Sequence, residues 1–463
     1  MIQTKKLCGA MLALLCSLSS MAAKNDTTRR TNWIMEHDSV MMATRNTQDD
    51  TTRMVPTALS LSVREAQDYA VQANRSLRNA SLAVQQAYAA RWQTIAAMLP
   101  QVDASYSYSN YCGYSASLSM GGASMTINMP NQGALGVTAS VGINGQAIVG
   151  VLLQNLAIDM QRLSLEQSED NLRANVKTSY ISILVLENVV KLLDSSLENV
   201  NEIIDMTQRT VEFGVNEQTT ADQIAIRANT LKNNIQSQKR SIELATNSLK
   251  VLLDVPAETQ LTLTSSLDEL LSGDEVLALL GEEFIKEHNM SYRQLEKNFE
   301  IAKLNVHMAG WAYGPTIGVG YNYTNQQYYG DGGMRMTPPN VVQVSLKLPL
   351  WSSGKRAAAV VEKKIALEQA RNTLAETTDQ LNIQYQQLRF NLQNAYETYL
   401  TEQENLEVVN RVFRSVSNKY RFGTNSNLEL INASNDVISA QSSYVQAVLT
   451  LINAEVELDK FLK

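Results

Sequence analysis

The sequence predicts an α+β membrane protein in which long antiparallel coiled-coil helices join a transmembrane β-barrel. Three observations predict this. Paired segments alternate apolar and polar residues, long heptad runs follow them, and the whole pattern is written twice, 215 positions apart in its clearest strands.

The strands open each copy. After Pro100, Val102, Ala104, Tyr106 and Tyr108 alternate with Asp103, Ser105 and Ser107. After Pro315, Ile317, Val319, Tyr321 and Tyr323 alternate with Gly318, Gly320 and Asn322. A loop containing Gly and Met follows each run, and then a second alternating run over 135–143 or 342–350. Period two is the mark of a half-buried strand, so the chain carries two β-hairpins, 101–145 and 315–350. Their polar faces hold little but Ser, Gly, Thr and Asn, which suits a water-filled lumen with lipid outside. Tyr106, Tyr108, Tyr321 and Tyr323 fit an aromatic girdle at the membrane interface. Four strands cannot close a barrel whose smallest membrane forms have about eight. An open edge in lipid strands unpaired backbone groups. The chain must share its barrel with copies of itself, and two or three copies both satisfy that need.

The helices follow the strands. Val176, Ile183, Val190, Leu197 and Ile204 recur every seventh residue, with Leu172, Leu186, Leu193 and Val200 on the second seam position. After the second hairpin, Leu367, Leu374, Leu381, Leu388, Ala395, Val409 and Val416 continue the rule, with Glu402 interrupting it. Each run lasts roughly 60 residues, about 90 Å of helix. No proline between Pro130 and Pro256 breaks the first one. Ala228, Ile235, Ile242 and Leu249 mark one return helix, and Leu430, Val437, Tyr444, Leu451 and Leu458 the other. At the reversals stand Phe213-Gly214 and Phe422-Gly423, where a helix must stop in a left-handed conformation. The first repeat is read as 58–265 and the second as 266–463.

Composition narrows the class. With 44% hydrophobic and 18% charged residues the chain is not disordered. Lys5 and Lys6, an apolar stretch over 7–18 and Ser20-Met21-Ala22 read as a secretory signal over 1–22, since about 12 apolar residues fall short of the ~20 that span a bilayer. Residues 23–57 read as a polar, flexible leader with no assigned function. Cys8 and Cys16 lie in the signal, which leaves Cys112 as a small strand residue without an intrachain partner. A net charge of −7 argues against nucleic acid as a partner.

With hairpin, long coil, Phe-Gly tip, return coil and repeat in view, the chain resembles the TolC-type outer-membrane efflux protein family over about residues 58 to 463. The specific pieces are Lys419-Tyr420-Arg421-Phe422-Gly423 followed by Leu428-Glu429-Leu430-Ile431, supported by the segment 249–256 and by Pro349-Leu350-Trp351 with Gly354-Lys355. The resemblance implies a homotrimer with a twelve-stranded barrel in the outer membrane of a Gram-negative bacterium and an α-barrel through the periplasm. It implies docking of the tips (Phe213, Gly214, Phe422, Gly423) on a periplasmic adaptor linked to an inner-membrane transporter, and export of small molecules or proteins, type I secretion included. By the same resemblance Lys419 and Tyr420 belong to the entrance gate, Tyr420 as its tyrosine and Glu429 as a pore-lining acid. Asn425 stands where the family pattern has a gating arginine, and Asn432 where it has a second acid. The first tip departs too, with Thr210 in place of the motif's base.

Nothing in the sequence offers chemistry. His37, His288 and His307 are scattered, and no phosphate loop or metal-ligand spacing appears, so neither enzyme nor cofactor is read. The rival to a channel is a structural or adhesive coiled-coil protein of the envelope without a conduit.

Overall fold

The computed structural model describes residues 57–120, 123–214, 217–271, 273–329, 338–422 and 424–463. The signal, the leader up to residue 56 and the tip glycine Gly423 lie outside the described residues. From Ala58 to Lys463 the chain forms one unit.

Its first part runs β1 (Ala58–Leu61), α1 (Val63–Ala73), α2 (Arg75–Ala96), β2 (Gln101–Ser109), β3 (Ser115–Met120), β4 (Ala123–Asn128), β5 (Asn131–Asn144), α3 (Gly145–Glu212) and α4 (Gln218–Leu252). The second part runs β6 (Gln260–Leu263), α5 (Leu267–Leu270), α6 (Gly273–Gly281), α7 (Met290–Gly310), β7 (Thr316–Tyr329), β8 (Asn340–Lys347), α8 (Lys355–Arg421) and α9 (Asn427–Leu462). At 68 and 67 residues, α3 and α8 exceed the roughly 60 read from the heptads. Asn144 starts α3 by accepting a hydrogen bond from the Ala147 amide at 2.7 Å.

Along α3, α2 packs first and α4 after it, while α7 and then α9 accompany α8. Helices α7 and α9 also pack on α3, so each long helix has neighbours along its length. The core is therefore a row of seams instead of one ball. One cluster joins Leu392, Tyr399 and Leu406 of α8 to Tyr444, Leu451 and Leu458 of α9. Another joins Leu172, Val176 and Ile183 of α3 to α1, β1 and Leu249. A third, nearer the tips, gathers Val190, Leu193, Val200, Ala228, Ile235, Phe413, Leu430 and Val437. The heptad residues of both return helices fill these seams.

Two asparagines fasten the joints. Asn74 caps α2, accepting from the amides of Ser76 and Leu77, and donates to the Leu252 carbonyl at the end of α4 (2.9 Å). Asn289 caps α7 in the same way and donates to the Phe461 carbonyl at the end of α9 (2.7 Å). Each satisfies helix-end amides and an orphan carbonyl of a second helix with one side chain.

The main sheet has the order β2-β5-β7-β8, antiparallel throughout. Its register sorts the side chains. Val102, Ala104 and Tyr106 lie opposite Ala139, Val137 and Leu135, while Ala139, Val141 and Ile143 lie opposite Tyr321, Val319 and Ile317. Val342, Val344 and Leu346 complete the row on β8. Paired residues share a face, so one face is almost wholly apolar. Ser105, Gly136, Thr138, Ser140, Asn322, Gly318 and Ser345 occupy the other. Within the described chain β2 and β8 each have a free edge.

Three features depart from the sequence reading. Cys112 is not on a strand; it sits exposed in the turn after β2 with φ 53°. The loop of the first hairpin holds a second hairpin, β3 with β4. The strand pair β1 with β6, parallel and about 200 residues apart in sequence, has no signal in the alternation.

Candidate functional site

The two helical reversals lie at the same end of the unit. At the first, α3 ends at Phe213, which is 82% exposed, and Gly214 takes φ +72°. A glycine suits that left-handed turn, because a Cβ there would crowd the following carbonyl. At the second, α8 ends at Phe422, 84% exposed. The Thr424 amide and hydroxyl both donate to the Lys419 carbonyl, at 3.0 and 2.9 Å, closing the end of α8. Ser426 then caps α9 by accepting from the Glu429 amide at 3.3 Å.

Between these tips the two hairpins are tied by side chains. The Tyr420 hydroxyl of α8 lies 3.1 Å from Thr207 Oγ1 of α3. Thr207 is buried and spends its own proton on the Ile203 carbonyl at 2.8 Å, so Tyr420 is the donor. Beside it Arg421 forms an ion pair with Glu202 of α3. Of the residues read as the gate, the structure thus brings Tyr420 against α3. Lys419, Glu429 and Asn432 are exposed on their helices, and Asn425 is half-buried in the turn. Thr207, Glu202 and Arg421 were missed by the sequence reading. Glu202 lies off both seam positions, and only the partner helix reveals it; Thr207 stands seven residues after Val200, a polar residue on the second seam position, which was a signal in the sequence; Arg421 stood inside the tip motif without a role.

Higher up, α3 is bolted on several sides between Glu166 and Tyr180. Glu166 pairs with Arg293 of α7 at 2.7 Å, and Arg173 with Asp68 of α1 at 2.8 Å. The hydrogen bond from Arg173 to Asp68 holds the guanidinium pKa above its ordinary value. Lys177 pairs with the buried Glu455 of α9 at 2.6 Å. Tyr180 is fully buried; its hydroxyl donates to the Leu61 carbonyl at 2.8 Å and accepts from the amides of Thr264 and Ser265, both at 3.0 Å. Asp170 is only partly buried, yet its carboxyl is pushed up, first by desolvation and then by its acidic neighbours Glu166, Glu169 and Asp459.

Of the six tyrosines of the sheet, the four read as interface aromatics lie on its apolar face at successive levels. Tyr321 is opposite Ala139, Tyr323 opposite Val137, Tyr106 opposite Leu135 and Tyr108 opposite Gly133. They climb the face as a diagonal. Among the described residues no helix is long and apolar enough to cross a membrane, and no group of three or more His, Cys, Asp or Glu is placed to hold a metal.

The model of the outer membrane efflux protein family matches residues 67–254 and 285–462. The probable efflux pump outer membrane protein TtgC of Pseudomonas putida is 26% identical over 315 residues, covering 65% of this chain; the match spans 63% of that relative, less than two thirds of its length. Two solved channels share the fold. The outer membrane protein VceC of Vibrio cholerae aligns with a TM-score of 0.66 at 14% identity, over 86% of this chain and 95% of that one. The open state of the Neisseria gonorrhoeae MtrE outer membrane channel aligns with a TM-score of 0.63 at 18% identity, over 89% and 93%. The chain belongs to the outer membrane efflux protein family, and the outer membrane is its place.

Proposed function

We propose that three copies of this chain close into an outer-membrane channel that continues as a helical duct through the periplasm. In this reading the duct exports solutes with a periplasmic adaptor and an inner-membrane transporter. The observation that carries it is the sheet: one largely apolar face, one polar face of Ser, Thr, Gly, Asn and Gln with Asp103 and Lys347, and a free edge on each side. Lipid tolerates such a sheet only when its edges are paired. Edge β8 of one copy meeting edge β2 of the next pairs both, and three copies give the twelve-stranded barrel of the family.

The helices support the same closure. Exposed Ile226, Leu244 and Val251 line α4, spaced 18 and 7 residues apart; Ile365, Ile383 and Phe390 line α8 with the same spacing. Both intervals are close to whole helical turns, so each set is a single stripe. Helix α4 packs chiefly on α3 and helix α8 chiefly on α9, and an apolar stripe left exposed on each is what a head-to-tail ring needs.

The repeats 58–265 and 266–463 each supply one helical hairpin to this duct. The tips, Phe213 with Gly214 and Phe422 with Gly423, are the adaptor contact. Tyr420, Lys419, Asn425, Glu429 and Asn432 line the entrance, which the bond to Thr207 and the Arg421–Glu202 pair hold shut. The sheet tyrosines contact the lipid headgroups. Relatives named for toluene and antibiotic efflux point to small toxic molecules as cargo. Deleting the gene should raise susceptibility to solvents and antibiotics, and the intact gene should restore tolerance. Unchanged susceptibility and unchanged secretion across a broad panel would contradict the reading.

A further inference from the structure

The main sheet ends toward the helices along a line that its register fixes. Asn144, the last residue of β5, lies opposite Thr316, the first of β7, and Thr316 lies opposite Lys347, the last of β8. The three tryptophans among the described residues all stand close to this line. Trp311 comes five residues before β7, Trp351 four after β8 and Trp92 nine before β2. They are 48, 87 and 41% exposed, although each carries a large apolar ring. Trp311 is held in place by α3, since its ring fills the space that a Cβ on Gly145 would need. Trp351 follows Leu348 and Leu350, which carry the exposed apolar row of β8 past the end of the sheet.

Cations gather at the same level. Lys303, His307 and Trp311 are all exposed and four residues apart, so they share one face of α7 and the turn that follows it. Lys355 and Arg356 open α8, and Lys364 follows on the same helix. The one acid among these residues of α8, Glu362, pairs with Lys363 at 2.8 Å, and Glu300 of α7 pairs with Lys297 at 2.9 Å. Among the described residues Lys303, Lys355 and Lys364 therefore have no acidic partner. Farther from the sheet the pattern is different, with Arg173, Lys177 and Arg293 each paired to an acid. The first turn of α8 holds no acid, and its cap, Gly354, offers no side chain. Cations there run against the helix dipole, and an external anion offsets both. Arg356 is occupied locally: its Nε donates to Ser352 Oγ at 3.0 Å and its guanidinium lies 4.9 Å over the Tyr313 ring. Lys355 is left exposed.

We infer that this rim binds anionic phospholipid in the bilayer leaflet that faces the helices. Trp92, Trp311 and Trp351 rest at the headgroup level, and Lys303, Lys355 and Lys364 engage the phosphate charge. The inference rests on the reading above that the apolar face of the sheet meets lipid. Indole is apolar with one polar edge, and it collects at the boundary between membrane and water. Charge names the lipid. A chain of net charge −7 repels anionic headgroups as a whole, and unpaired lysines beside exposed indoles reverse that locally.

Tryptophan fluorescence of the full-length protein carrying Trp33→Phe tests this. The protein is reconstituted in phosphatidylcholine vesicles doped with dibrominated phosphatidylglycerol or dibrominated phosphatidylcholine, whose bromines quench on contact. Phosphatidylglycerol should quench at a mole fraction lower on the order of fivefold, the effect of one lysine near an anionic surface. Lys303→Gln with Lys355→Gln and Lys364→Gln should bring the two lipids together. A reporter protein, with all four tryptophans replaced by Phe and Val344→Trp added on the sheet, should be quenched by both lipids alike. Equal quenching of the native rim by the two lipids would overturn the inference while leaving the sheet in lipid. So would an unquenched rim beside a quenched reporter; if Trp351→Ser then released monomers, the rim would be a contact with a second copy. An unquenched reporter would instead sink the membrane reading, and this one with it.

Discussion

The Tyr420 hydroxyl donates a hydrogen bond to Thr207 Oγ1 at 3.1 Å, joining the last turn of α8 to α3 near the tips. The bond crosses from one helical hairpin to the other, at the place where the proposed duct narrows. Removing it should loosen the entrance. A net hydrogen bond is worth about 0.5–1.5 kcal/mol, so Tyr420→Phe should raise the open-to-closed ratio roughly threefold to tenfold in single-channel records. Adding Glu202→Gln, which breaks the ion pair of Arg421, should raise it further. If neither changes the open fraction, these bonds do not hold the gate.

The two apolar stripes predict how copies meet. Phe390 and Leu244 are each more than 60% exposed in the single chain. Phe390→Glu and Leu244→Glu should therefore leave the helix content unchanged while shifting detergent-solubilised protein from oligomer to monomer. Light scattering coupled to gel filtration reads this directly. An undiminished oligomer would place the subunit contact elsewhere.

Lys177 and Glu455 form the most enclosed of the ion pairs given above. Glu455→Ala should destabilise by about 2–3 kcal/mol, somewhat under the loss for a fully buried pair, because Lys177 keeps some contact with water. Lys177→Met with Glu455→Leu should recover most of that loss. The midpoint of thermal unfolding, followed by helical circular dichroism, distinguishes the two variants.

Two carboxyls predict opposite responses to acid. Burial raises the pKa of Asp170 above its ordinary 3.8. The folded chain therefore takes up this proton at a higher pH than the unfolded one, and the ionised form costs stability near neutrality. Asp170→Asn should stabilise at pH 7, with the gain fading as pH falls through the raised pKa and gone below 3.8. Glu65 behaves in reverse. Hydrogen bonds from the Ser62 amide and hydroxyl lower its pKa below 4.5. Its contribution is present above that value and is lost as pH falls through the lowered pKa, so Glu65→Gln should destabilise at pH 7 and be neutral in strong acid.

Much of this architecture was legible in the sequence because its elements repeat a simple period. Val102 to Tyr108 and Ile317 to Tyr323 announce strands by alternation, and Val176 to Ile204 announce a coil by sevens. What escaped notice depends on partners distant in sequence. β1 and β6 are four residues each, too short for a period to show, and Leu61 finds Leu263 only in the folded chain. Tyr180 lies off both seam positions and carries no mark in the sequence until its hydroxyl is seen tying both strands to α3. The tip motif pointed to Tyr420, and Thr207 stood as a polar residue on the seam seven after Val200, but Glu202 carries no local mark.

Planar-bilayer recording of the purified wild-type protein tests the central claim most directly. If copies of this chain close a polar sheet face around water and continue it through the coils, folded oligomers should give discrete, uniform current steps. Folded, membrane-inserted protein that yields no discrete steps, with or without Tyr420→Phe, would contradict the account.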